Sequence, residues 1–319
     1  MKNNKALAQI LLVVVTCIWG STFSEVQNTV NQTVSYNDDG AISALTPNSY
    51  IFFRFLVASI LALIIIIKSS IVFTRDEVVG GIYCGVLIYL GYFCQKQGLI
   101  DTSSGSAAFM TSTSVIIVPI ILWIFRIGKI AFNVWIGVAV AFVGLLMITK
   151  AELNVGDLYA FLCAVSFAVH IIFQGIYNKK GVRVFHFFFL QALMCVILSV
   201  VISFSSESIS PYSIDYKNFS FPLIQSLFIT AVLASFLAFV IMIWAQKILD
   251  PVQTVMIFSL EPVFTFLYDQ LFQDKSYELF QWMGGIMVVL AILMSENKKI
   301  NRVICNCFTP SKSISDKVT

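Results

Sequence analysis

WIGVAVAFVGLLM (Trp135–Met147) and WMGGIMVVLAILM (Trp282–Met294) are two versions of one apolar segment, placed in the two halves of a 319-residue chain. Upstream of them, Val118-Pro119-Ile120 aligns with Glu261-Pro262-Val263 once a four-residue gap is allowed. Working outward, apolar spans fall at 6–27, 47–67, 78–99, 103–125 and 131–149, then at 156–176, 184–204, 222–246, 252–273 and 279–295. Each half has five spans. Because five is odd, the second copy enters a membrane from the side opposite to the first, which makes the repeats inverted about an axis in the membrane plane. The predicted fold is an all-α integral membrane protein of ten transmembrane helices, with repeats at 1–150 and 151–297 and a polar tail at 298–319.

Composition explains why these spans must lie in lipid. The chain is 58% apolar and 12% charged, with mean hydropathy +0.88, whereas soluble domains carry about 25% charged residues. The apolar runs approach or exceed ~18 residues, enough for a helix rising ~1.5 Å per residue to cross a ~30 Å hydrocarbon core. Lipid cannot satisfy open backbone groups, and the alternation of barrel strands is absent, so the spans read as helices. A net charge of +3 spread over loops gives nucleic acid no footprint. The seven cysteines mostly sit within apolar runs and form no CxxC or Cys/His cluster, so no disulfide framework, metal or cofactor is expected. Lys2 and Lys5 precede an apolar run in the manner of a secretory signal, but no small-residue cleavage site follows, so this run reads as an uncleaved first span.

Lys and Arg set the expected orientation, since cytoplasmic loops retain them. With the amino terminus inside, 15 basic residues fall on the cytoplasmic face and four (Lys96, Lys150, Lys217 and Lys275) on the other, with Arg54 inside the membrane. Both termini are therefore expected in the cytoplasm, and the sequons at Asn31 and Asn218 fall in the two long outer loops, 28–46 and 205–221.

Along these spans the chain resembles the EamA-type members of the drug/metabolite transporter superfamily, over roughly residues 7–296. The resemblance rests on IWGSTF (Ile18–Phe23), the arginine of FFRFLVA (Phe52–Ala58), SAAFMTSTSVIIVPII (Ser106–Ile121), GDLYAFLCAVSFAVHI (Gly156–Ile171) and WAQKILDPVQTVMIFSLEPVF (Trp244–Phe264). A W-x-G sequence also opens the last span of each half. The resemblance implies a central cavity between inverted repeats and transport of metabolites such as amino acids across a plasma membrane. The family's glutamate after the fourth and ninth helices is missing, replaced by Arg126-Ile127-Gly128-Lys129 and Gln273-Asp274-Lys275.

Ionisable groups within spans are costly and therefore functional candidates. Arg54, about seven residues into the second span, suits the carboxylate or phosphate of a solute, or a fixed pair with Glu25. Glu261 is placed near mid-membrane before Pro262, which frees a carbonyl; it is a candidate proton carrier or a brace for the helix break. Pro119 marks the corresponding break in the first repeat. His170 aligns with Thr22 and reads either as cavity wall or as a hydrogen-bonded packing residue. Thr111 and Thr113 offer hydroxyls to a cavity or to close helix packing, and Trp19, Tyr92 and Trp244 could stack on a solute. Gln191 is a further polar group within a span, whereas Lys96 can snorkel to the outer interface. Gly81 and Gly85 form a GxxxG spacing for close helix contact or, less simply, a homodimer. Cys305 and Cys307, just beyond the last span, could be lipidated or the tail could meet anionic lipid.

No nucleotide-binding GxxxxGK[ST] loop, paired aspartates, Ser/His pair or HExxH occurs, so the reading is a secondary transporter, not an enzyme. Export of small metabolites by alternating access is expected, with a proton as the possible coupled ion. The first four spans of each half should line the site while the fifth and tenth brace it. The alternatives are a nucleotide-sugar or phosphorylated-metabolite exchanger of an internal membrane, or a receptor or non-transporting subunit.

Overall fold

A computed structural model describes residues 2–37, 40–43, 47–69, 71–127, 130–148, 154–205 and 221–296. These residues form ten helical spans. The first repeat contains α1 (Lys2–Thr33), α2 (Pro47–Ile67), α3 (Arg75–Asp101), α4 (Ser104–Ser112 continued by Ser114–Ile124) and α5 (Phe132–Ile148). The second contains α6 (Val155–Lys179), α7 (Val184–Ser205), α8 (Phe221–Ile229, Thr230–Leu237 and Ala238–Ala245), α9 (Pro251–Phe258 continued by Glu261–Phe272) and α10 (Leu279–Glu296). Eight are long and apolar enough to cross a membrane by themselves, while α5 and α10 supply two shorter apolar helices. The loop after α1 adds a small antiparallel hairpin, β1 (Val34–Asn37) with β2 (Gly40–Ser43). The sequon at Asn218 and the tail carrying Cys305 and Cys307 lie outside the described residues.

Polar residues at the span ends start the helices where the apolar pattern begins. Thr74 with Glu77, Asn154 with Asp157, and Asp250 with Gln253 form capping boxes on α3, α6 and α9, each satisfying two otherwise orphaned backbone donors. Pro251 occupies the first turn of α9, where its missing N–H costs nothing.

The packing has the two-fold relation that the repeats require. Helix α1 packs on α8 and α9, while α6, its counterpart, packs on α3 and α4; α2 meets α7, and α5 meets α10. The repeats are thus interlaced, and the natural rigid units mix helices from both halves of the sequence. The GxxxG face of α3 is filled from within the chain. A Cβ on Gly81 would lie 2.5 Å from Leu190 Cβ of α7, and one on Gly85 2.5 Å from Met194 Cβ.

The tightest contact of α1 falls beside the break in α9. A Cβ on Gly20 would stand 2.7 Å from the Glu261 carbonyl oxygen, and Thr265 donates its hydroxyl hydrogen to the Gly20 carbonyl at 2.9 Å. Gly20→Ala must therefore push α1 from α9, at a cost of about 1–3 kcal/mol. Gly285→Ala, whose new Cβ would stay 3.5 Å from Val263, should be neutral or slightly stabilising. Thermal unfolding of the two variants in detergent should separate them; equal midpoints would contradict the close α1–α9 contact.

Candidate functional site

Two helix breaks and one widened turn shape the centre of the bundle. In α9 the ladder is interrupted at Ser259 and Leu260, because Pro262 has no N–H for the Phe258 carbonyl. In α4 the interruption lies at Thr113, whereas Pro119 sits inside the second segment. This corrects Pro119 as the break point: the break falls earlier, at Thr113, which donates its hydroxyl to Met110 O at 2.6 Å. In α8, Thr230–Leu237 is wound as a π-helix, a form that leaves carbonyls without their usual partners and recurs at functional sites. Its Ala234 carbonyl accepts from Trp19 Nε1 at 2.8 Å and from Arg54 Nη2 at 3.3 Å.

Around these features lies a central cavity whose water-accessible space is about 40 Å³, room for about three waters. Trp19 and Thr22 of α1, Arg54 of α2, Tyr92 of α3, Thr111 of α4 and Glu261 of α9 all border it. The second repeat adds Phe167, Phe239 and Phe258 as aromatic walls. Seven of the eight helices expected to line the site do so; α7 contributes no lining residue, and neither do α5 and α10.

Arg54 is 3% exposed and held on three sides. Its Nε donates to Ser235 Oγ at 2.5 Å, its Nη2 donates to Tyr92 OH at 3.0 Å, and its guanidinium carbon stands 4.1 Å from the Tyr92 ring centre. Glu25, the partner considered for it, instead accepts a hydrogen bond from Tyr268. Glu261 is 6% exposed, and among the described residues no hydrogen bond or ion pair reaches its carboxyl group. The cavity therefore holds a guanidinium and a carboxyl group from different repeats, neither neutralised by the other. That arrangement can bind and orient a polar solute.

The remaining candidates lie behind this wall. His170 is fully buried, shares a 3.1 Å hydrogen bond with Gln191, and makes edge contacts with Phe167 and Phe239 that screen it from the cavity. Trp244 packs on the core, and Thr113 is committed to its own turn. Lys96 does not snorkel: it is 5% exposed, with its ammonium 3.5 Å from the Tyr50 ring centre.

A cluster that the sequence reading missed closes the bundle on the face opposite the amino terminus. Asp269 of α9, with no exposure, accepts from Ser24 of α1, from Ser104 of α4 at 3.0 Å, from Lys275 at 3.0 Å and from Tyr277 at 2.9 Å. Burial, and then the Asp269 carboxylate, push the Tyr277 phenol above its usual range, which keeps it a donor. Gln27 adds two bonds, donating to Thr102 O and accepting from Ser104 N. On the amino-terminal face, by contrast, α4, α6 and α9 part around a second cavity of about 310 Å³, with Lys179, Asp250 and Gln253 at its walls. The legible signal for Asp269 was its place on the Glu261, Thr265, Asp269 stripe, all buried at i, i+4 and i+8.

A multi-pass helical bundle of two inverted repeats, enclosing a charged cavity that is sealed toward one face, is the architecture of a membrane transporter. The family model described as the EamA-like transporter family matches residues 6–150 and again 154–296, and the chain belongs to this family. A relative from Archaeoglobus fulgidus, described as an uncharacterized transporter, is 27% identical over 288 residues, which cover 90% of this chain and 85% of the relative. A solved structure described as "Crystal structure of protein" superposes with a TM-score of 0.69 at 12% identity, covering 94% of this chain and 99% of the other, and shares the fold.

Proposed function

We propose that this chain is a secondary transporter of small metabolites, amino acids or related compounds, working by alternating access in the export direction. The observation that carries the reading is the central cavity, where Arg54 and Glu261 face one small space from opposite repeats while aromatic rings supply its apolar wall. A polar cluster at Asp269 ties the helices on one face, while on the other a separate cavity lies between α4, α6 and α9, an asymmetry in keeping with one state of such a cycle. The distribution of lysine and arginine supports both termini being cytoplasmic, and the family likeness supports a plasma (inner) membrane. Glu261, a carboxyl group without a partner among the described residues and beside a freed carbonyl, serves as the coupling site for a proton.

The test is uptake and efflux of labelled amino acids in proteoliposomes, with and without an imposed pH gradient. Wild type should accumulate its solute against a concentration difference when the gradient is imposed. Glu261→Gln should keep downhill exchange within a few-fold of wild type while losing gradient-driven accumulation. A gradient response unchanged in Glu261→Gln removes the proton role, and no flux of any amino acid through folded wild type removes the amino-acid class.

A further inference from the structure

Helices α2 and α3 carry one pattern twice. Tyr50 and Arg54 are spaced i, i+4 on α2, and Tyr92 and Lys96 are spaced i, i+4 on α3, so each pair shares a helix face. The structure crosses the pairs: Arg54 lies against Tyr92 at 4.1 Å, and Lys96 over Tyr50 at 3.5 Å. Two cations and two tyrosines therefore alternate along the seam between the helices, with the cations about one turn, ~6 Å, apart along the axis. Tyr50 is fixed by its hydroxyl, which shares bonds with Thr230 at 2.9 Å and Ser226 at 3.3 Å.

Neither basic side chain has an acidic partner. Among the described residues, no carboxylate stands within ion-pair distance of Arg54 or Lys96. Aromatic faces and hydroxyls compensate a buried cation only in part, and two like charges in a low-dielectric interior repel. Packing does not call for them, as the second repeat demonstrates. The buried positions Tyr50, Ile51, Arg54, Phe55 and Ala58 recur with identical spacing as Phe187, Phe188, Gln191, Ala192 and Cys195 on α7. Those of α3 recur on α8, where Tyr92 corresponds to Phe239 and Lys96 to Ile243. The same helical surfaces are thus packed once without basic residues and once with two basic side chains that lack an acidic partner.

Position along the helices gives the pair a direction. Arg54 borders the central cavity, as does Gln95, the neighbour of Lys96. Lys96 lies one turn beyond Tyr92 on α3, toward the face sealed by Asp269. We propose that Arg54 and Lys96 are consecutive stations for one oxyanion, so that the solute bears a carboxylate or phosphate group that passes from Arg54 to Lys96 on its way to the opposite face. This deepens the transporter reading and rests on it for the passage, but not for the binding.

The test compares wild type, Lys96→Met and Lys96→Arg in proteoliposomes of known orientation. The probes are labelled phenylalanine, its decarboxylated amine, benzoate and phenyl phosphate. Wild type should move at least one oxyanion-bearing probe and exclude the amine, with benzoate against phenyl phosphate showing which oxyanion fits. Lys96→Met should raise KM about tenfold for that probe applied at the opposite face, leave KM from the amino-terminal face within twofold, and be rescued by Lys96→Arg. A merely structural lysine would lower flux equally from both faces, which would overturn the proposal, as would transport of the amine. Thermal unfolding in detergent with added benzoate or phenyl phosphate reads binding separately. If wild type moves no probe, stabilisation that is weaker in Lys96→Met and restored in Lys96→Arg upholds the oxyanion stations while the transport reading fails, and equal stabilisation of all three overturns Lys96 as a station. Absence of stabilisation in that case overturns both.

Discussion

Arg54→Lys is expected to lower solute flux ten- to a hundredfold in folded protein, and Arg54→Ala to abolish it. The guanidinium spends its Nε on Ser235 and its Nη2 on Tyr92 and the Ala234 carbonyl, and no protein acceptor meets Nη1 among the described residues. The fork is therefore both anchored and left with donors for a solute. Lysine keeps the charge but is a single point donor on a flexible stem, and cannot hold three anchors and a ligand at once. Losing one charge-assisted hydrogen bond costs about 1.5–3 kcal/mol, which is about ten- to a hundredfold in affinity. Initial rates in proteoliposomes, normalised to reconstituted protein, measure it. Wild-type rates in Arg54→Lys would reduce the residue to a mere positive charge, and wild-type rates in Arg54→Ala would remove it from the solute site.

Asp269→Ala should unseal the opposite face. The carboxylate is the common acceptor for donors from α1, α4 and the α9–α10 loop. Without it, three elements lose the atom that joins them, while Lys275, 44% exposed at its side chain, returns readily to water. Loss of two such bonds, at about 1.5 kcal/mol or more each, shifts a closed–open equilibrium by about two orders of magnitude. A cysteine introduced by Thr22→Cys, beside the central cavity, should then react with a membrane-impermeant maleimide added at the opposite face at least tenfold faster than in the Asp269-containing parent. An unchanged labelling rate with a lowered unfolding temperature would make Asp269 a structural brace and not a gate.

The architecture was legible because hydrophobic length and the duplicated W-x-G segment both report on the chain's path through lipid, and these need no knowledge of neighbours. Arg54 and Glu261 were legible for a related reason: charge inside a span is costly enough that each instance signals a purpose. Azimuth was harder to read. The alignment of His170 with Thr22 left cavity wall and packing residue both open, and only the packed structure shows Phe167 and Phe239 in edge contact with it. Lys96 near a span end read as a snorkelling residue, because the alternative depends on Tyr50 of another helix offering its ring. Asp269 escaped notice since a carboxylate one turn from a loop ordinarily meets water, and two of its four donors, Ser24 and Ser104, come from distant parts of the sequence. The π-turn of α8 leaves no composition signal, for TAVLASFL (Thr230–Leu237) would serve equally in a regular helix.

The interlacing of the repeats also bears on how the protein is made. Helix α1 finds its packing partners in α8 and α9, whose first residues are synthesised roughly 190 positions after α1 ends, a delay of about 10–40 s at typical translation rates. During that interval α1, with Thr16 and Ser24 buried in the finished bundle, lacks the neighbours that α8 and α9 supply. Thr16 is prepared for the wait by donating to its own Leu12 carbonyl at 2.7 Å, whereas Ser24 finds its acceptor only when Asp269 arrives. Synthesis of the last two helices of the cavity is thus the step at which the first helix of the chain is finally placed.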